Sequence, residues 1–557
     1  MINKRTVGMN IQKQFVKILS SAFPYILFVI AATGPILAYK YYGVVFTLKS
    51  LGYVIPIILV AIILLIRHKD KDKGLGIFKS ILILKGITFL NLLMITVLFF
   101  VVSVILLIHF PTRPLAYFII VALTSGSIFI QIFTQREKWT DYLIIFEIII
   151  LSLNLIWGVV LKYPLYFGGT DILGHLFSIE TILQTGHTTG LENYVNYPLY
   201  HIYNAIGIEI TGLVSRTSVF LFMGIAWVGG ILLTYLLFMK ISSSRRFSLT
   251  ACLLYAMSPI VVLNGMSSIT RSLAFVLILC LLYQIFNKDS LKYVFLSLIT
   301  MFALILTHHA TILLSIPILI VIYFSQRVFQ GTKPEKALLT ILPIMVLTIS
   351  FFGYMFFIAS DFTLTVFARQ LLGIFTQEIG PQNVDVLHQQ QYFYVLGSVD
   401  NSFVLLLALI GIGIAINLYA SGSKHLSFVI IGLPSLLFLI LYFDNISQLI
   451  PYSKILLFWR LPILASFFIV YMVTYGINYL MHIGHNTLKH KIWLPVLSMI
   501  AVVMLSFFSL ISSSTARDLD YIQKSADVGS HYFTDSELNA LSFIRQECNY
   551  DSIIYGD

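Results

Sequence analysis

Long apolar runs return along the whole of this chain, many of them near twenty residues, each separated from the next by a short polar or basic stretch. A helix rises about 1.5 Å per residue, so roughly 20 residues cross the ~30 Å hydrocarbon core of a bilayer. In lipid every backbone N–H and C=O must find its partner inside the protein, which leaves helices or closed barrels. The period-two alternation of a barrel is missing, so the runs read as helices. With 58% hydrophobic and 11% charged residues and a mean hydropathy of +0.92, the 557-residue chain lies far outside the soluble range. The sequence predicts an all-α polytopic membrane protein.

The formal charge of +11 could suggest nucleic acid, but the Lys and Arg residues sit in short clusters between apolar runs and form no basic face. They read as topology signals, and a nucleic-acid partner is excluded. With a cytoplasmic amino terminus, 23 of the 35 Lys and Arg residues fall inside and nine in outward loops, the remaining three lying in the final tail. That bias sets the expected orientation in a cell membrane: amino terminus cytoplasmic, carboxyl terminus extracellular. Cys252 and Cys280 lie in apolar runs and Cys548 in the tail, so neither a metal spacing nor a disulfide framework is present.

About fifteen spans are expected. Five of them, Ser20 to Tyr39, Gly52 to Ile66, Ile87 to His109, Leu115 to Phe133 and Tyr142 to Leu161, make an amino-terminal region over residues 1–161. The first reads as an uncleaved anchor. An outward loop over 162–218 follows. The main membrane region, 219–512, holds Val219 to Met239, Phe247 to Leu263, Ser272 to Phe286, Tyr293 to Thr307, Thr311 to Phe324, Ala337 to Ile358, Ser402 to Tyr419, Leu426 to Phe443, Leu461 to Leu480 and Trp493 to Ser512, with a second outward loop from Ser360 to Asn401. The tail, 513–557, turns polar. Thr534 and Glu537 match a capping box, Leu538, Leu541 and Ile544 recur at helical spacing, and Ser552 to Tyr555 is strand-like, which predicts a short outward α/β-type tail.

The chemistry-bearing residues concentrate in the first outward loop, where Asp171, His175, Glu180, His187, Glu192 and His201 occur within about thirty residues. Asp171 to Gln184 reads as an amphipathic surface helix with Ile172, Leu173, Leu176, Phe177, Ile179 and Leu183 on one arc and Asp171, His175 and Ser178 on the other. Asp171 and His175 are neighbours at i, i+4, a carboxylate and an imidazole able to orient each other. A second helix is expected from Pro198, with Asn196 as a cap and with Tyr197, His201 and Asn204 on one face. Solvated helix surfaces would use the same residue types. Asp171 is also an ordinary helix start, and His187 and Glu192 read as solvated loop residues.

The pattern Asp171-x-x-x-His175 followed by Tyr197-Pro198-Leu199-Tyr200-His201 resembles the polytopic glycosyltransferases of the GT-C fold, in particular prokaryotic relatives of the dolichyl-phosphate-mannose-type protein mannosyltransferases. The resemblance implies a GT-C-like fold with membrane-parallel helices in the outward loop. It also implies a lipid-phosphate sugar donor and an essential acidic residue, here Asp171. Three features depart from the family. Five spans precede the loop, Asp171 has no acidic neighbour, and the tail lacks the Trp-Trp-Asp-Tyr-Gly stretch of oligosaccharyltransferases.

A polyprenyl-phosphate leaving group requires positive charge at headgroup depth, and an arginine fork supplies it. Arg271, Arg460, Lys454 six residues before it, and Arg369 in the second outward loop have that depth, although an outward basic residue can equally bind lipid headgroups or snorkel. His308 and His309 end two short spans; they either line the same cavity or pair with helix-end carbonyls. The expected activity is a glycosyltransferase with Asp171 and His175 as catalytic residues and His201, Tyr197, Arg271, His308, His309, Arg460 and Lys454 binding substrate. The acceptor is a protein, lipid or glycan. No cofactor signature is present; a divalent metal is compatible with this chemistry without being required. A transporter or flippase, or a polymerase, of lipid-linked glycans is the alternative. A transporter would show ionisable groups or broken helices at mid-membrane.

Overall fold

The computed structural model describes residues 4–68, 88–134, 137–163, 171–189, 194–287, 290–330, 339–360, 393–420, 461–487, 493–511 and 535–547, with single residues at 191, 434, 439, 516, 518 and 519. The described residues contain helices and no strand. In chain order they are α1 (Lys4–His68), α2 (Phe89–His109), α3 (Leu115–Thr134), α4 (Thr140–Lys162), α5 (Asp171–Thr185), α6 (Leu199–Thr211), α7 (Ser215–Ser242), α8 (Arg245–Ala256), α9 (Pro259–Ser267), α10 (Thr270–Phe286), α11 (Leu291–Thr307), α12 (His309–Gln330), α13 (Ile341–Phe357), α14 (Phe393–Ala420), α15 (Leu461–Thr487), α16 (Trp493–Leu510) and α17 (Asp535–Glu547).

Among the described residues seven helices are long and apolar enough to cross a membrane, or eight if the bent pair α8 and α9 forms one span. The chain is a multi-pass membrane protein. Further apolar helices of 10–17 residues fall on other expected spans. Among the described residues, fewer helices than the fifteen expected spans reach full length. The expected span Leu426 to Phe443 and the strand-like Ser552 to Tyr555 lie outside the described residues.

The first two expected spans share one helix assignment, α1, which contains Pro24, Pro35 and Pro56. Its contacts show that it cannot run straight. Ser20 donates to Asn417 of α14, while Leu64 packs on Gly413 of the same helix. Gly413 and Asn417 are one turn, about 6 Å, apart, whereas roughly 44 residues of straight helix would hold Ser20 and Leu64 about 66 Å apart. The chain therefore doubles back within α1. Gly52 meets Ser402 at the other end of the second leg.

Contacts between helix ends sort into two faces. At one face the Lys162 ammonium donates to Leu107 O, Arg113 pairs with Asp518, and Arg216 donates to Tyr163 O. At the opposite face Arg245 pairs with Asp141, Trp139 packs on Phe89, and Tyr283 packs on Tyr293. Residues 107–113, 162–163, 216 and 518 lie at or beyond span ends expected on the outer side, and 89, 139–141, 245 and 283–293 at or beyond span ends expected on the inner side. The alternation read from charge thus agrees with which ends meet.

The bundle has a step at the first of these faces. α7 has 28 residues, about 42 Å, whereas α10 and α11 have 17 each, about 25 Å. Leu273 clusters with Val219, Phe220 and Met223, and further along Val276 packs on Gly230, so α10 starts below the start of α7, by roughly five to nine residues or about 8–13 Å. α6 fills that step. Gly212 turns the chain at φ 63, and α6 then lies antiparallel to α7, with Thr211 against Ser218 and Tyr203 and Gly207 against Phe222. The short turn after Gly212 makes α6 and α7 a helical hairpin.

Candidate functional site

α5 opens at Asp171, the helix start that the Gly-Gly-Thr-Asp sequence suggests; the Asp171 side chain lies outside the described residues. Its faces differ from the expected ones. Ile172 and Ile179 are buried, but so is His175, at 2% exposure, while Leu173 and Phe177 stand 50% and 72% exposed. The stripe that packs on the protein is therefore 172, 175 and 179, one face of a 3.6-residue period. Exposed Leu173 and Phe177 are compatible with contact to lipid, so hydrophobicity alone does not identify the inner face of this helix. Glu180 accepts from Ser215 at the start of α7, where a carboxylate favours the helix dipole. His187 is exposed, as a solvated loop residue would be, and Glu192 lies outside the described residues.

The structure brings His175 of α5 to His201 of α6. His175 Nδ1 is 3.1 Å from His201 Nε2, both side chains are buried, and the Tyr194 ring packs against both at 5.0 Å. Burial, reinforced by the neighbouring His175, pushes the His201 imidazole down to about 3, so it is neutral at physiological pH. One ring must then donate and the other accept. Among the described residues His201 Nδ1 and Asn204 Oδ1, one helical turn apart, are buried without a hydrogen-bond partner. An orphaned lone pair is tolerated better than an orphaned N–H. That places the His201 proton on Nε2, donating to His175 Nδ1, and the His175 proton on its own Nε2.

α6 carries two further contacts at its start. Pro198 occupies the cap position, close to the expected start, though without a side-chain cap. Tyr197 packs its ring 5.0 Å from His309 and 6.0 Å from Tyr354, whose hydroxyl donates to Asn196 O. Tyr200 donates its hydroxyl to Ser268 O in the α9–α10 turn. Burial pushes both the Tyr197 and Tyr200 hydroxyls up, so both stay protonated.

That same turn carries Arg271, half-buried, whose Nε donates to Asn264 Oδ1 at 3.1 Å. His308 behaves as a helix-end residue. Its Nδ1 accepts from the Thr311 amide at 3.2 Å and lies 2.6 Å from the Thr311 hydroxyl, which caps α12. Of the expected site residues, His175, His201, Tyr197, His309 and Arg271 are thus carried by elements that meet around α6, with His308 beside them. Arg460, Lys454 and Arg369 lie outside the described residues. No group of three His, Cys, Asp or Glu residues suited to a metal occurs among the described residues.

Sequence reasoning missed the ion pair that closes this face. Arg113, between α2 and α3, donates to both carboxylate oxygens of Asp518, each at 2.7 Å, and its backbone N–H adds a third bond at 3.2 Å. Tyr163 at the end of α4 donates to the same carboxylate at 2.6 Å. The only hint in sequence is that Arg113 is an outward basic residue against the charge bias.

No protein-family model matches the chain, and no curated protein matches it. Among solved structures, the chain is similar to ArnT from Cupriavidus metallidurans, a crystal structure bound to undecaprenyl phosphate. The similarity has a TM-score of 0.38 at 10% identity and covers 68% of this chain and 77% of that one.

Proposed function

We propose that this protein is a GT-C-like membrane glycosyltransferase that moves a sugar from a polyprenyl-phosphate donor to a hydroxyl acceptor at the outer face of the membrane. Asp171 is the general base, positioned by His175 one turn along α5, and Arg271 faces the leaving phosphate, with Arg460 and Lys454 as further cations. The acceptor proton passes to the Asp171 carboxylate as the acceptor oxygen bonds to the anomeric carbon and the bond to the phosphate oxygen breaks, inverting that carbon. His201, Tyr197, His308 and His309 form the wall that holds the sugar.

The observation that carries this reading is the His175–His201 pair beneath the helix that Asp171 opens. It fixes the tautomer of His175 so that its Nε2 bears the proton, the form that can orient a carboxylate. The test is transfer of labelled sugar from a polyprenyl-phosphate donor in proteoliposomes. Asp171→Asn should lower the rate by at least about a hundredfold with unchanged melting, in the range of general-base contributions. Full activity of that variant overturns the assignment.

Two observations favour a transporter of lipid-linked glycans as the second reading. The expected span Phe247 to Leu263 is broken, with α8 and α9 meeting at 58°, and Glu147 lies buried within α4. Broken helices and intramembrane carboxyls are features of transport pathways. Movement of a labelled lipid-linked glycan across a protein-containing vesicle, without transfer to any acceptor, would select this reading.

A further inference from the structure

Glu147 is remote from the loop-face residues and has a distinct hydrogen-bond problem. It lies in the α4 span, 8% exposed, and its Oε1 accepts from Gln131 Nε2 of α3 at 2.9 Å. The second Gln131 N–H donates to Thr96 Oγ1 of α2 at 2.8 Å. The Thr96 and Ser127 hydroxyls lie 2.8 Å apart and both reach Leu92 O, at 3.0 and 3.4 Å, so one donates to the other and the other to that carbonyl. Every donor in the cluster is therefore spent. Two acceptors remain, Glu147 Oε2 and Gln131 Oε1, each buried and without a partner among the described residues.

We propose that Glu147 is held as a neutral carboxylic acid in a cyclic pair with Gln131, and that this pair is a proton-binding site inside the spanning bundle. One proton on Glu147 Oε2, donated to Gln131 Oε1, satisfies both orphaned atoms and closes a ring with the Gln131 N–H already bonded to Oε1. Turning the Gln131 amide over does not remove the need. Gln131 Oε1 would then face Glu147 Oε1 at 2.9 Å, and two oxygens at that distance require a hydrogen between them. An ionised Glu147 would be a buried charge with a single hydrogen bond, an expensive arrangement.

The charged groups on α4 and on the elements packed against it lie at its two ends, Lys162 and Arg216 bonded to Leu107 O and Tyr163 O at its finish and the others at its start. Asp141 is taken by Arg245 of α8, and Arg246 and Lys240 lie at the same end. Tyr235, Cys252 and Tyr255 on α7 and α8 are neutral at working pH. Tyr117 of α3 and His109 of α2 sit toward the other face. Filling the site takes one proton from water and changes the charge of Glu147 from −1 to 0, with no other atom transferred.

The test is infrared spectroscopy of the full chain in lipid nanodiscs at pH 7, wild type against Glu147→Gln. The variant keeps the ring as an amide–amide pair. The wild type should show a protonated carboxylic C=O band, shifted in D2O, that the variant lacks; loss of a carboxylate band instead overturns the proposal. In melting curves from pH 6 to 10, the wild type should lose stability as pH rises, because the folded chain holds a proton that the unfolded chain releases, and the variant should not show this loss. A melting temperature that rises with NaCl over choline chloride in the wild type but not in the variant overturns the proton in favour of a sodium ion. If Glu147→Gln does not accumulate, 13C-labelled glutamate in the wild type reads the same band. A protonated glutamate then supports the site, and its absence overturns it.

Discussion

His175 Nδ1 and His201 Nε2 lie 3.1 Å apart in a buried contact that joins the helix opened by Asp171 to the hairpin arm beside α7. The pair is stable only while His201 is neutral. Its imidazole is depressed to about 3 in the folded protein against an unfolded value of 6.5. The unfolded chain therefore gains a proton first as pH falls, and stability drops from about pH 6.5 downward. At pH 4 the loss is on the order of 3 kcal/mol. His201→Gln should be less stable at pH 7.5 yet lose less between pH 6.5 and 4. Thermal melting of both proteins across that window measures it, and equal slopes would remove the pairing argument.

Tyr200 links this pair to the turn that carries Arg271. Its hydroxyl is the hydrogen-bond donor to Ser268 O, and both residues are buried. Tyr200→Phe leaves that carbonyl unsatisfied at a cost of about 1–3 kcal/mol. In the proposed reaction the affinity for a polyprenyl-phosphate donor should weaken, because Arg271 loses its fixed position, while Asp171 is untouched. A raised KM with little change in kcat is the expected signature.

Asp518 binds the start of the tail to the loop face through Arg113 and Tyr163. Removing one partner of a buried ion pair costs about 3–5 kcal/mol, because the other charge is left behind. Asp518→Ala should lower the melting temperature by several degrees, read in the same detergent as the wild type. The double variant Arg113→Met with Asp518→Leu should recover much of the stability, since the lone buried charge is then gone.

The span positions were legible because apolar length is a local property of sequence. The start of α5 at Asp171 was legible too, because the sequence Gly-Gly-Thr-Asp is itself a local helix-start signal. What was not legible depends on neighbours. Leu173 and Phe177 look like core residues, yet in a membrane an apolar side chain can face lipid, so the buried face of α5 was assigned without His175. Arg113 and Asp518 are 405 residues apart, and nothing local announces their pairing. The break between α8 and α9 did have a signal, Ser258 before Pro259, because a proline disfavours helical geometry in the residue preceding it.

Close helix approach gives the last prediction. A Cβ built on Gly411 of α14 would collide with the carbonyl oxygen of Met472 on α15, and one on Gly476 of α15 with that of Leu407 on α14. The two helices thus meet backbone to backbone, each through a glycine, the packing mode that small residues permit in membranes, where burial from water no longer drives association. The clashing atoms are main-chain atoms, so no side chain can swing aside. Gly411→Ala or Gly476→Ala must push the helices apart, costing about 1–3 kcal/mol each. Because both act on one crossing, the double variant should cost less than the sum. Gly229 of α7 has nothing within 4 Å of its Cβ position, and Gly229→Ala should fall within about 1 kcal/mol of wild type, on the stabilising side. Melting temperatures of the wild type and the four variants in the same detergent decide it. A neutral Gly411→Ala would mean that α14 and α15 do not touch in the membrane.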